Sequence, residues 1–149
     1  MAKITNLGNE TDLKWIHNVS EAVGPGCWNK RDDVLLVQHA LNKLLPHLEI
    51  LGADGKPITA YLKRDGWFGP KTQAAILGYQ NNVRKRGGVI TADGRVSPAN
   101  KSGWGPLTGN QFTIVHINRD HRNIHGSMMQ DSEFPPEVIL ALKMNAMDG

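Results

Sequence analysis

Apolar positions along the chain form three helical stripes, one alternating run and several short extended patches, separated by glycine and proline. The first 20 residues are polar except for Leu13, Trp15, Ile16 and Val19, which read as an extended patch. Val23-Gly24-Pro25-Gly26 is a turn by composition. Asn29 is placed to cap a helix whose first turn holds Asp32 and Asp33. Val34, Val37, Leu41 and Leu44 or Leu45 then recur at helical spacing, so a helix is predicted over residues 31–45, stopped by Pro46. Residues 46–66 read as a long loop with turns at Gly52, Asp54-Gly55, Pro57 and Asp65-Gly66, and a brief extended piece through Ile58, Ala60 and Leu62. A second helix is predicted from Pro70, because proline at the first helical position loses no hydrogen bond. Its stripe is Ala74 or Ala75, Ile76, Tyr79 and Val83, and Gly87-Gly88 ends it. The glycine-rich stretch 88–109 holds a turn at Asp93-Gly94 and a short third helix from Pro98. Residues 111–118 alternate, with Phe112, Ile114, Val115 and Ile117 apolar, which predicts a strand or buried extended segment. A last helix follows Phe134-Pro135-Pro136, with Val138, Leu142, Ile139 and Met144 facing inward. No repeat is long enough to indicate a solenoid.

One stretch is more specific than this outline. It runs Asp65-Gly66-Trp67-Phe68-Gly69-Pro70-Lys71-Thr72, then Ala74-Ala75-Ile76 and Tyr79-Gln80. Asp65-Gly66 suits a tight turn in which glycine supplies a positive φ. Phe68 is an aromatic anchor between the two main helices, and Thr72 can bond locally in the first helical turn. The stretch resembles the peptidoglycan-binding domain family attached to many cell-wall hydrolases. Asp33-Val34-Leu35-Leu36-Val37-Gln38 is similar to that family's first helix, and Ala92-Asp93-Gly94-Arg95-Val96-Ser97-Pro98 to its closing turn and third helix. Tyr79 stands where the family has phenylalanine. Outside this region, Val23-Gly24-Pro25-Gly26, Thr113-Ile114-Val115 and Phe134-Pro135-Pro136-Glu137 resemble short stand-alone members that accompany contractile secretion or phage lysis components.

The resemblance implies a mainly α fold: a small three-helix peptidoglycan-binding-like bundle with an extra C-terminal extended segment and helix. It divides the chain into a polar N-terminal extension (1–28), the helical module (29–109) and a C-terminal segment packed on it (110–149). It places ligand contacts at Asp65, Trp67, Phe68, Thr72, Tyr79, Gln80 and Asn81. Of these, Phe68 has a structural job first. Trp67 offers an aromatic face to a sugar, while Gln80 and Asn81 offer amides to sugar hydroxyls and stem peptides.

Charge and cysteine content narrow the classes. Seventeen basic and 14 acidic residues leave a net charge of +3, which favours an anionic polymer but falls short of a nucleic-acid footprint. Basic residues gather at Arg84, Lys85 and Arg86, and at Arg119 and Arg122, as solvated helix ends do. The single Cys27 excludes an intramolecular disulfide. No apolar run spans a membrane and the N-terminus has no signal-like core, so synthesis in the cytoplasm without a classical signal peptide is expected. Action is then expected at the cell wall or periplasm, or within a secretion or phage particle.

The remaining residues form no catalytic constellation that the sequence reveals. The six histidines, His17, His39, His47, His116, His121 and His125, contain no His-Glu-x-x-His. His121 and His125 share a face only if helical, with His116 or Asp120 as a third ligand, and they read as a histidine-rich surface loop. His39 reads as a partly exposed helix position. Glu10, Glu21, Glu49, Glu133 and Glu137 are scattered and form no evident acid pair, and Cys27, even with His17 or His39 as base, lacks a nucleophile signature. No catalytic residue, metal or cofactor is therefore expected. The expected function is non-catalytic binding of peptidoglycan, anchoring a protein partner such as a cell-wall hydrolase, an effector or an injection-machine component. A structural adaptor in a contractile injection or phage machine is the first rival, and a small zinc-dependent wall hydrolase the second.

Overall fold

A computed structural model describes residues 1–9, 11–105 and 109–145. Two short strands, β1 (Lys3–Asn6) and β2 (Trp15–Asn18), pair antiparallel with Lys3 opposite Asn18 and Asn6 opposite Trp15. Four helices follow: α1 (Arg31–Leu44), α2 (Pro70–Lys85), α3 (Thr113–His125) and α4 (Pro136–Asn145). A single 3-10 turn at Asp131–Glu133 lies between the last two. β1 packs on α4 and β2 on α3, while α1 touches the other three helices.

This architecture corrects the predicted three-helix bundle. The fold is mixed α/β, with four helices and a two-stranded sheet among the described residues. The residues read as a polar N-terminal extension contribute Ala2, Leu13, Ile16, Val19 and Val23 to the same buried cluster as the helices. Their polar neighbours are used internally. Asn118 on α3 accepts from the His17 amide and donates to the His17 carbonyl, both at 3.0 Å, which clamps β2 to α3.

α1 and α2 fall where the periodicity puts them. Val34, Val37, Leu41 and Leu44 are fully buried, as are Ala75 and Tyr79, with Ile76 and Val83 nearly so. The cap of α1 differs from expectation. Lys30, not Asn29, is the N-cap, and Asn29 adopts a positive φ of 52° to bond the Gly24 amide at 2.8 Å and the Gly24 carbonyl at 3.0 Å. Asp33, in the first turn of α1, is buried and accepts from the Ser20 amide and hydroxyl and the Glu21 amide.

Two predicted elements are overturned. Residues 111–118, predicted as extended, enter α3. Its buried positions Ile114, Ile117, Asn118 and His121 follow the helical period. Reading only the apolar members broke that stripe, because Asn118 and His121 are polar residues buried with hydrogen-bond partners. No helix starts at Pro98 among the described residues. The Ala99 amide donates to Asn18 Oδ1 at 3.1 Å and its carbonyl accepts from Asn18 Nδ2 at 2.9 Å, so this segment is tied to β2 instead. Residues 106–108, at the end of the segment that resembles the module, lie outside the described residues. In α4, Val138 and Leu142 are buried as predicted, but Met144 is exposed.

Candidate functional site

The conspicuous Asp65-Gly66 turn is held by a buried glutamine. Gln38 Nε2 stands 3.1 Å from each of Asp65 Oδ1, the Trp67 carbonyl and Thr72 Oγ1, while Gln38 Oε1 accepts from the Gly66 amide at 3.0 Å. The Trp67 amide closes the turn by donating to Asp65 Oδ1 at 3.0 Å, which, with the contribution of Gln38, holds that carboxyl below its ordinary range. Gly66 has a φ of 73°, the left-handed conformation that favours glycine.

The same clasp recurs one helix later. Gln80 Nε2 lies 3.2 Å from Asp93 Oδ1, 2.9 Å from the Arg95 carbonyl and 3.0 Å from Thr113 Oγ1. Gln80 Oε1 accepts from the Gly94 amide at 2.8 Å, the Arg95 amide donates to Asp93 Oδ1 at 2.9 Å, and Gly94 has a φ of 74°. Each clasp therefore ties a helix to an Asp-Gly turn and to a threonine in the first turn of the next helix.

This geometry decides which predicted ligand residues are available. Gln80, Tyr79 and Thr72 are buried and engaged inside the protein. Tyr79 donates its hydroxyl to Asp120 Oδ2 at 2.6 Å, and burial together with that carboxylate pushes its pKa well above the ordinary value. Asp120 is also gripped by Arg86 through two bonds of 3.1 and 2.7 Å, so these residues fasten α2 to α3. Phe68 is partly buried against the core and Asp65 is spent on its own turn. Trp67, 75% exposed, and Asn81 remain open to a ligand.

Asn81 belongs to a groove of about 840 Å³ along the face of α2 opposite its core stripe. Its helical side is Pro70, Gln73, Ala74, Leu77, Gly78 and Asn81, at the spacing of one helix face. The facing wall is the turn 50–58, which the Ile58 amide closes by donating to the Ile50 carbonyl at 2.8 Å and the Gly52 amide by donating to Lys56 at 2.8 Å. Asn82 pins this wall to the helix by donating to the Glu49 carbonyl at 3.0 Å. Gly78 permits the approach, since a Cβ there would stand 2.2 Å from the Leu51 carbonyl oxygen. Leu51 and Leu77 are half-exposed apolar flooring, while Lys85 and Arg86 make one end basic. The sequence held a signal for this face: Leu77 lies off the core stripe and is followed by a glycine inside a helix, which is unfavourable unless another backbone comes close.

The histidines are arranged otherwise than a surface loop would arrange them. His121 and His125 lie on α3, and His39 is buried. His116, His121 and His125 each spend a ring nitrogen on a backbone carbonyl, those of Val89, Ser127 and Lys43. No group of three His, Cys, Asp or Glu among the described residues could hold a metal ion. Comparison of the chain with family models, with curated proteins and with solved structures returned no match.

Proposed function

We propose that this chain is a non-catalytic binding module for bacterial peptidoglycan, and that the α2 groove is its binding surface. The observation that carries the reading is the groove itself, which takes Pro70 from the Asp65–Thr72 stretch whose sequence resembles the peptidoglycan-binding family. Its chemistry suits the peptide stems better than the glycan strand. Sugar rings are commonly recognised on aromatic faces, and none of the residues lining the groove is aromatic. Leu51, Leu77 and Ala74 offer apolar contact to small methyl side chains. Gln73 and Asn81 offer amide pairing, and Lys85 lies at the end where a free carboxylate would be neutralised. Trp67, before the start of α2, is the one predicted aromatic contact still exposed.

Sedimentation of the purified protein with insoluble sacculi, across a salt series, tests the proposal. Binding should survive physiological salt and fall at least about tenfold in a Leu77→Glu, Asn81→Ala variant, a loss of about 1.4 kcal/mol. Release of soluble fragments by the pure protein would overturn the non-catalytic reading. A second reading, a protein adaptor, is favoured by the exposure of Leu140 and Met144 on α4. Failure to sediment at any salt would select it.

A further inference from the structure

Away from the groove, four buried polar side-chain atoms find no hydrogen-bond partner among the described residues: His17 Nδ1, His39 Nε2, His121 Nε2 and Glu133 Oε1. They are electrostatic neighbours. Glu133 Oε1 stands 3.8 Å from His39 Nε2, too far for a hydrogen bond, and its charge also acts on His17 and His121. Phe134, 3% exposed, inserts between two of the rings, with centroids 4.9 Å from His17 and 4.8 Å from His39. Three elements thus converge on one short segment: β2 through His17, α1 through His39 and α3 through His121.

Hydrogen bonds fix the neutral tautomers. His17 Nε2 lies 2.7 Å from Asp131 Oδ1 and donates to it, leaving a bare lone pair on Nδ1. His121 Nδ1 lies 2.8 Å from the Ser127 carbonyl and donates to it, leaving Nε2 bare. His39 Nδ1 accepts from Arg64 Nη1 at 3.0 Å, so its proton sits on Nε2, facing Glu133. A second proton must therefore enter a buried face on His17 and His121. On His39 it must take the nitrogen that Arg64 occupies, breaking that bond and setting two cations together.

We propose that these three histidines and Glu133 form an acid-operated latch: neutral rings hold residues 127–134 and α4 on the body, and protonation releases them. The surrounding charges come from α1, α3, the Arg64 segment and the turn 131–133. Glu133 and Asp131 favour protonation, whereas Lys43 on α1 and Arg64 oppose it at His39, and Lys43 and His125 oppose it at His121. Burial outweighs the carboxylates. It lowers the pKa of His17 and His121, and it holds His39 down at about 4, with Arg64 and Lys43 adding to it. The ordinary histidine value is near 6.5, and the rings move back toward it as burial is lost. The stabilisation is thus complete above about pH 6.5 and is lost as pH falls from there toward the latched values.

Amide hydrogen exchange on the full chain, corrected for intrinsic rates, reads the latch directly. Each histidine that charges on opening makes the open fraction rise about tenfold per pH unit. Between about pH 6.5 and pH 5, protection of residues 134–142 should fall about 100-fold or more per unit, while α2 keeps its protection. His121→Gln and His17→Gln should each remove about one tenfold step per unit. Equal loss of protection in α2, or a slope under about tenfold per unit, would overturn the proposal. Should these variants fold poorly, ring titrations of the unaltered protein decide the matter. His17, His39 and His121 must titrate below the ordinary histidine value, and titration of all three near about 6.5 would sink the latch.

Discussion

The Gln38 and Gln80 clasps use the same five contacts, yet only one has become part of a surface. From glutamine to threonine they span 34 and 33 residues. From glutamine to aspartate they span 27 and 13. The first clasp carries its extra chain before the Asp-Gly turn, where the turn 50–58 becomes the groove wall. The second carries it after the turn, on the stretch where Val96 bridges to Val23. A shared buried device fixes the helix spacing, and the position of the inserted chain decides which side acquires a groove.

Removing the clasps should give the largest effects, and unequal ones. The bond from the Gly94 amide to Gln80 is buried, whereas that from Gly66 to Gln38 is partly exposed and can turn to water. Gln80→Leu should cost about 3–4 kcal/mol and Gln38→Leu about 2 kcal/mol, since an orphaned buried donor or acceptor costs about 1–3 kcal/mol. Urea denaturation measures both, and equal losses would break the contrast between a buried and a half-open clasp. Gly78→Ala should come next, at about 1–3 kcal/mol, because the new methyl must push the Leu51 carbonyl away. Its sacculus binding should fall further than its stability explains. Retention of full binding would place the ligand away from the groove. Trp67→Ala should be smallest, within about 0.5 kcal/mol in thermal unfolding, since the indole is exposed. A larger loss would give Trp67 a structural part in its clasp.

Much of this could be read before the structure. Pro70 and Gly87-Gly88 bound α2, and the stripe Val34, Val37, Leu41 and Leu44 faces the core. The Asp65-Gly66 and Asp93-Gly94 turns have the positive φ expected of glycine. What escaped was carried by polar residues with buried partners. Asn118 and His121 disguised α3 as an alternating segment, and Asn18 keeps the chain near Pro98 from coiling. The glutamine–turn–threonine repeat was hidden because insertions on opposite sides of the two turns put every intermediate residue out of register. Gln80 seemed a ligand contact because a lone glutamine has no apolar signature of burial. Its partners come from residues 93–113, and only the folded chain brings them to it.

Asn82 does two things at once. It donates to the Glu49 carbonyl at 3.0 Å and accepts from Arg86 Nε at 2.8 Å, and Arg86 in turn grips Asp120 on α3. The groove wall is thus fastened to the same circuit that joins two helices, so widening it means disturbing contacts well outside the groove. A wall held in this way is preorganised: a ligand meets a shape already made and is spared the entropy of ordering it. Association should then be governed by encounter and desolvation rather than by a closing motion. Differences among ligands should appear mainly in how long they stay.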